Sequence, residues 1–213
     1  MSKTTSRGLF VVIEGLDGSG KTTLLRRLAD AYAGAGLRVT CVREPGGTPV
    51  SEQVRRILLD HRNTMGARTE LFLYLAARAQ LVDEVIRPAL ARGDLVLADR
   101  FHLSTLAYQI GGRGLPARTV AGADLLARDR VSPDLTVFLE VTEKDAAARR
   151  HSAPKDRIER EPKSFFRAVR REYRLLTHRR RGMLTIDSGL GIDRVFDTAR
   201  RAIDRRLNRR GKI

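Results

Sequence analysis

Short apolar runs alternate with longer amphipathic ones along nearly the whole chain. Residues 9–13, LFVVI, are β-branched, bounded by Gly8 and Gly15 and without a polar face, which predicts a strand buried on both sides. Residues 21–35 place Leu24, Leu25, Leu28 and Tyr32 at helical spacing and close at Gly34 and Gly36. The same reading predicts strands over 37–42, 94–99, 134–141 and 183–187. Helices are expected over 50–60, 69–91, 103–110, 117–128, 143–150, 164–181 and 194–207, with Pro88 kinking or splitting the long one. Strands separated by helices require crossover connections. The expected fold is therefore α/β: a five-stranded parallel sheet with helices on both faces and ligands at the strands' carboxyl ends. Residues 151–162 are too polar and charged to join a core and read as a surface excursion.

Length and composition narrow the class. The 213 residues contain no repeat or low-complexity block and fit one domain spanning 1–213, with residues 1–8 as a flexible N-terminus. No apolar run approaches the roughly 20 residues that span a bilayer, and the first residues lack a secretory pattern, so a soluble cytoplasmic protein without membrane partners is expected. The one cysteine, Cys41, lies in an apolar run and is expected in the core. His61, His102, His151 and His178 show no metal-ligand spacing. A net charge of +16 raises the question of nucleic acid, but the cations are mostly arginines interleaved with acids at helical spacing, and stacking aromatics are scarce. A solvated arginine-rich surface is the better reading, with no nucleic-acid partner. The charge still draws in anionic substrates.

The chemistry starts after the first strand. Gly15-Leu16-Asp17-Gly18-Ser19-Gly20-Lys21-Thr22 matches G-x-x-x-x-G-K-[ST] at every fixed position, followed by Thr23. Glycines let backbone N–H groups turn inward, and the next helix adds its positive end. Lys21 is expected on the β- and γ-phosphates, and the Thr22 hydroxyl on Mg²⁺. The loop thus grips a nucleoside triphosphate such as ATP. It does not separate kinases from GTPases, motor ATPases or DNA-handling modules.

Further segments do. REPGGT at 43–48, ELFLYLAARAQL at 70–81, ADRFHLSTLAYQ at 98–109, DRIERE at 156–161 and TID at 185–187 occur in an order and spacing that resembles the thymidylate kinases, from about residue 9 to the last helix. The resemblance implies a P-loop NTPase fold with a mobile lid at 151–162, and phosphorylation of dTMP by ATP with Mg²⁺. It implies that Tyr74 stacks on thymine, where the family's usual ring is phenylalanine, and that Arg78 bonds the base edge from the same helix face. Thr105 and Gln109 would meet the pyrimidine edge, Tyr108 the 2′ side of the sugar, and Asp17 the 3′-OH. Arg100 would grip the monophosphate, with Asp99 assisting the magnesium and phosphate region. Ser104, Arg55 and the turn of Arg43, Glu44 and Pro45 would line the pocket, with Pro45 a candidate for a cis bond. Because Gly18 leaves the loop without an arginine, the chain resembles the bacterial type, whose lid supplies the cations. Among Arg149, Arg150, Lys155 and Arg157, the favoured pair is Arg150 and Arg157. Relatives of this type commonly form homodimers.

A monophosphate oxygen is already ionised at neutral pH, so no general base is required. Two rival classes remain: a deoxynucleoside kinase, in which Asp99 or Glu14 would deprotonate a hydroxyl, and a P-loop ATPase drawn to DNA.

Overall fold

The computed structural model describes residues 7–149, 155–178 and 181–211. Five parallel strands form one sheet in the order β2 (Val39–Arg43), β3 (Leu95–Asp99), β1 (Leu9–Gly15), β4 (Leu135–Glu140), β5 (Met183–Asp187). β1 is central and buried along its whole length, which explains why its sequence has no polar face. Its neighbours β3 and β4 come from opposite sides of the topology, so the crevice where connections diverge opens at its carboxyl end.

Side chains alternate across β1 and feed two layers. Leu9, Val11 and Ile13 pack beneath α1 (Lys21–Gly34) and α9 (Ile192–Asn208), through Leu24, Leu28, Val195, Ala199 and Ile203. Phe10 and Val12 face the other way, against Leu81, Val82, Ile86 and Phe101. The remaining helices are α2 (Pro49–Leu59), α3 (Ala67–Leu81), α4 (Arg87–Ala91), α5 (His102–Leu106), α6 (Ala117–Ala127), α7 (Glu143–Arg149) and α8 (Lys163–Thr177). Among the described residues, no helix is long and apolar enough to cross a membrane.

The expected helix over 69–91 runs without a break from Ala67 to Ala91, but a wide π turn, Val82–Ile86, lies between α3 and α4 just before Pro88, where a proline removes one of the helix's backbone donors. A second π turn, Ala107–Gly112, extends α5 and carries Tyr108 and Gln109. Cys41 is exposed, not in the core: β2 is an edge strand, paired only with β3. Of the excursion, residues 155–162 are described, and residues 151–154 lie outside the described residues. Asp156 and Glu159 cap one another there, each carboxylate accepting the other's backbone N–H at 2.8 and 3.1 Å.

Candidate active site

The loop after β1 curls through left-handed backbone at Gly18 (φ +82°), where an added Cβ would lie 2.6 Å from the Ala146 carbonyl oxygen. Gly20 begins α1 without a side-chain cap, leaving that helix's first N–H groups facing the loop. Lys21 is buried, and its Nζ donates to the Leu16 carbonyl at 3.1 Å and lies 3.7 Å from Asp17. Burial pushes its pKa down and the Arg100 charge adds to this, against Asp17, Asp99 and Glu14. The Thr22 hydroxyl donates to Asp99 Oδ2 at 2.8 Å. These two hard oxygens at the end of β3 suit a magnesium ion, which takes few protein ligands and keeps waters.

Arg100 follows Asp99 in left-handed backbone (φ +73°), a conformation rare outside glycine, held by its N–H to the Ile13 carbonyl at 2.9 Å. The kink turns the guanidinium back over the loop. Its Nη2 donates to Asp17 at 2.7 Å and its Nη1 to Ser104 Oγ at 3.1 Å. Beneath lies Glu14, fully buried, whose carboxylate accepts from the N–H groups of Phe101 and Ser104, from Ser104 Oγ at 2.6 Å and from the Tyr173 hydroxyl at 3.0 Å. Burial raises its pKa despite those bonds and the nearby Arg100 charge. Phe101 offers no side-chain cap to α5, so a carboxylate from another strand caps that helix instead.

One cavity brings together Asp17, Glu44, Pro45, Arg55, Tyr74, Arg78, Arg100, Ser104, Thr105, Tyr108 and Gln109, with Leu59, Asp156 and Ile158 completing the wall. The Glu44–Pro45 bond is cis, and Arg55 Nη1 donates to the Pro45 carbonyl at 2.8 Å. Arg78 is buried: its Nε donates to Glu44 at 2.9 and 3.1 Å, its Nη2 also bonds Glu44, and its Nη1 meets Asp124 at 2.5 Å. Burial raises the Glu44 pKa, with Arg78 opposing. Arg78 retains two N–H groups not committed to these carboxylates, one on each terminal nitrogen.

A second cavity holds Lys21, Thr22, Cys41, Arg43 and Asp99, and shares Asp17, Glu44, Arg55 and Arg100 with the first. The two sites thus meet at a common wall carrying two cations. On the loop's far side, Ser19, Gly20, Thr23, Leu139, Ile192 and Val195 line a third cavity, with Arg149 held over it by the Ser188 carbonyl at 3.0 Å.

Arg150 lies outside the described residues. Arg157, expected over the transferred phosphate, is held elsewhere: its N–H and Nε bond the carbonyls of Leu59 and Leu58 at 3.0 and 2.7 Å, and its Nη2 pairs with Glu70 at 2.7 Å. Sequence reasoning passed over Tyr173, Asp124 and Arg113, and weighed Glu14 only as a base. Glu14 was detectable as the one charge in an apolar strand, and Tyr173 as a member of the Phe165, Val169, Tyr173 stripe.

A parallel sheet with a phosphate loop at its central strand and an anion pocket beside it defines a P-loop phosphotransferase. Residues 13–199 match the family model described as thymidylate kinase. The chain is 41% identical to the thymidylate kinase of Thermosipho africanus over 93% of this chain and 99% of that one. It is 50% identical to that of Desulforudis audaxviator over 78% of this chain and 76% of the other, and 44% identical to that of a Synechococcus strain over 81% and 86%. The chain belongs to the thymidylate kinase family.

Proposed function

We propose that this protein transfers the γ-phosphoryl group of ATP to dTMP, giving dTDP and ADP on the route to dTTP. The observation that carries this reading is the shared wall: a pocket with a ring, base-edge groups and Arg100 abuts the Lys21 loop through Asp17, Glu44, Arg55 and Arg100. A dTMP phosphate oxygen attacks the γ-phosphorus in line, the bond to the β-phosphate oxygen breaks, and ADP leaves with that electron pair. The barrier is electrostatic, since two anions must approach. Lys21 and the loop amides hold the donor, while Arg100, steadied by Asp17 and Ser104, holds the acceptor. Thr22 and Asp99 would hold Mg²⁺, which when bound neutralises charge across the β- and γ-phosphates. Tyr74 supplies the stacking face, Arg78 the base-edge donors and Tyr108 the bulk against a 2′-hydroxyl. The third cavity suits the adenosine, with apolar walls and a cation over them. Residues 151–162 form the lid, with Arg150 at its entry supplying a cation to the transferred phosphate.

One catalytic domain acts in the cytoplasm as a homodimer, without nucleic acid or membrane as partner. The dimer reading rests on Phe72, Leu125 and Leu126, which are 63%, 43% and 83% exposed on the adjoining helices α3 and α6. A coupled assay of ADP release across nucleoside monophosphates, thymidine and DNA tests the activity. Release driven by dTMP is expected; release driven by thymidine or by DNA would select a rival.

A further inference from the structure

Gln109 lies on the second π turn and lines the acceptor cavity while fully buried. Its Nε2 donates to Glu70 Oε1 at 2.8 Å, and its Oε1 is buried without a hydrogen-bond partner. An ionised carboxylate only accepts, so the amide has one orientation open to it: nitrogen toward Glu70, oxygen away. Glu70 is kept ionised by its surroundings. Arg113 donates to it twice, at 3.0 and 2.8 Å, and Arg157 pairs with it at 2.7 Å. Burial opposes its charge, but these bonds outweigh burial and hold its carboxyl below the usual range. Arg113 is tied in turn to Glu161 at 2.6 Å, so the hub joins α3, the π turn and the DRIERE segment.

We infer that Glu70 is a positioning residue that sets base selectivity, fixing the Gln109 amide so that an acceptor oxygen meets the N3–H of thymine or uracil. The inference rests on the acceptor reading given above. Cytosine carries a lone pair at N3, and an acceptor facing it leaves two buried groups unpaired, a strong source of rejection. Glutamine at position 70 could present either oxygen or nitrogen and would release the Gln109 amide to turn.

The test compares kcat/KM for dTMP and dCMP in wild type, Glu70→Gln and Arg113→Gln. Glu70→Gln is expected to lower the dTMP-to-dCMP ratio at least about tenfold, mainly through KM. Arg113→Gln, which loosens the same hub but keeps the amide–carboxylate bond, is expected to lower thermal stability and keep the wild-type ratio. A ratio within about twofold of wild type in Glu70→Gln, or an equal fall in both variants, overturns the inference. Wild type inert toward dTMP would instead remove the acceptor reading. Should Glu70→Gln not fold, hydrogen exchange in the wild type decides: the Gln109 side-chain amide is expected to be protected with and without dTMP, and protection appearing only with dTMP would contradict the assignment.

Discussion

Arg100 and Asp17, 83 positions apart in sequence, meet at 2.7 Å in the wall between the donor and acceptor cavities. Asp17 belongs to the phosphate loop and Arg100 to the end of β3, so one ion pair registers the two sites against each other. Arg100 carries the acceptor's charge through a fork of donors, and lysine offers only a point charge. Arg100→Lys is therefore expected to fold and to lose roughly 10²–10³-fold in kcat with dTMP. Steady-state kinetics check this, and a loss under about threefold would contradict it.

Glu14 gives the fold a pH dependence. Its folded pKa lies above that of an unfolded glutamate, about 4.3. The native state therefore holds this proton more tightly, and the stability it contributes in acid is lost as pH rises through the raised value. Glu14→Gln does not titrate. Its Tm relative to wild type is expected to climb as pH rises above the unfolded value of about 4.3, whatever its offset from altered hydrogen bonds. A flat difference above that value would show that Glu14 titrates normally.

Arg78 neutralises two buried carboxylates, Glu44 and Asp124. Arg78→Ala leaves Glu44 without its cation, while Asp124 keeps Arg128 Nε at 3.0 Å, and is expected to destabilise the protein by about 3–5 kcal/mol in urea unfolding. Arg78→Ala with Glu44→Gln should recover part of that loss. No recovery would place the cost in lost packing against Phe101, whose ring lies 5.0 Å from the guanidinium.

Phe72 projects from the outer face of α3, 63% exposed. Phe72→Asp is expected to convert a wild-type dimer to monomer in sedimentation equilibrium. A monomeric wild type would refute the dimer reading.

How much of this was legible from sequence depends on whether a residue's role is local. The loop's glycines, Lys21 and Thr22 act at fixed spacing, so pattern alone located them. The sheet was equally legible, because β1 and β4 announce two-sided burial in their apolar runs. Cys41 was misplaced because an apolar run does not say whether its strand is central or at the edge; that is decided by β3 inserting between β2 and β1. The anchoring carboxylates were harder still. Glu14 finds its partners 87 and 159 positions away, and Asp124 meets Arg78 across 46 positions, separations over which no spacing rule operates. Arg157 shows the converse limit, since charge and position near a lid suggest a phosphate, and the partners its side chain meets in the fold, the Leu58 carbonyl and Glu70, carry no signal in the sequence.

The acceptor pocket is the centre of the account, and a crystal structure with dTMP bound tests it most directly. The thymine ring is expected against Tyr74 with its edge toward Arg78 and Gln109, and the monophosphate on Arg100. A nucleotide seated with its ring away from Tyr74, or its phosphate away from Arg100, would contradict it.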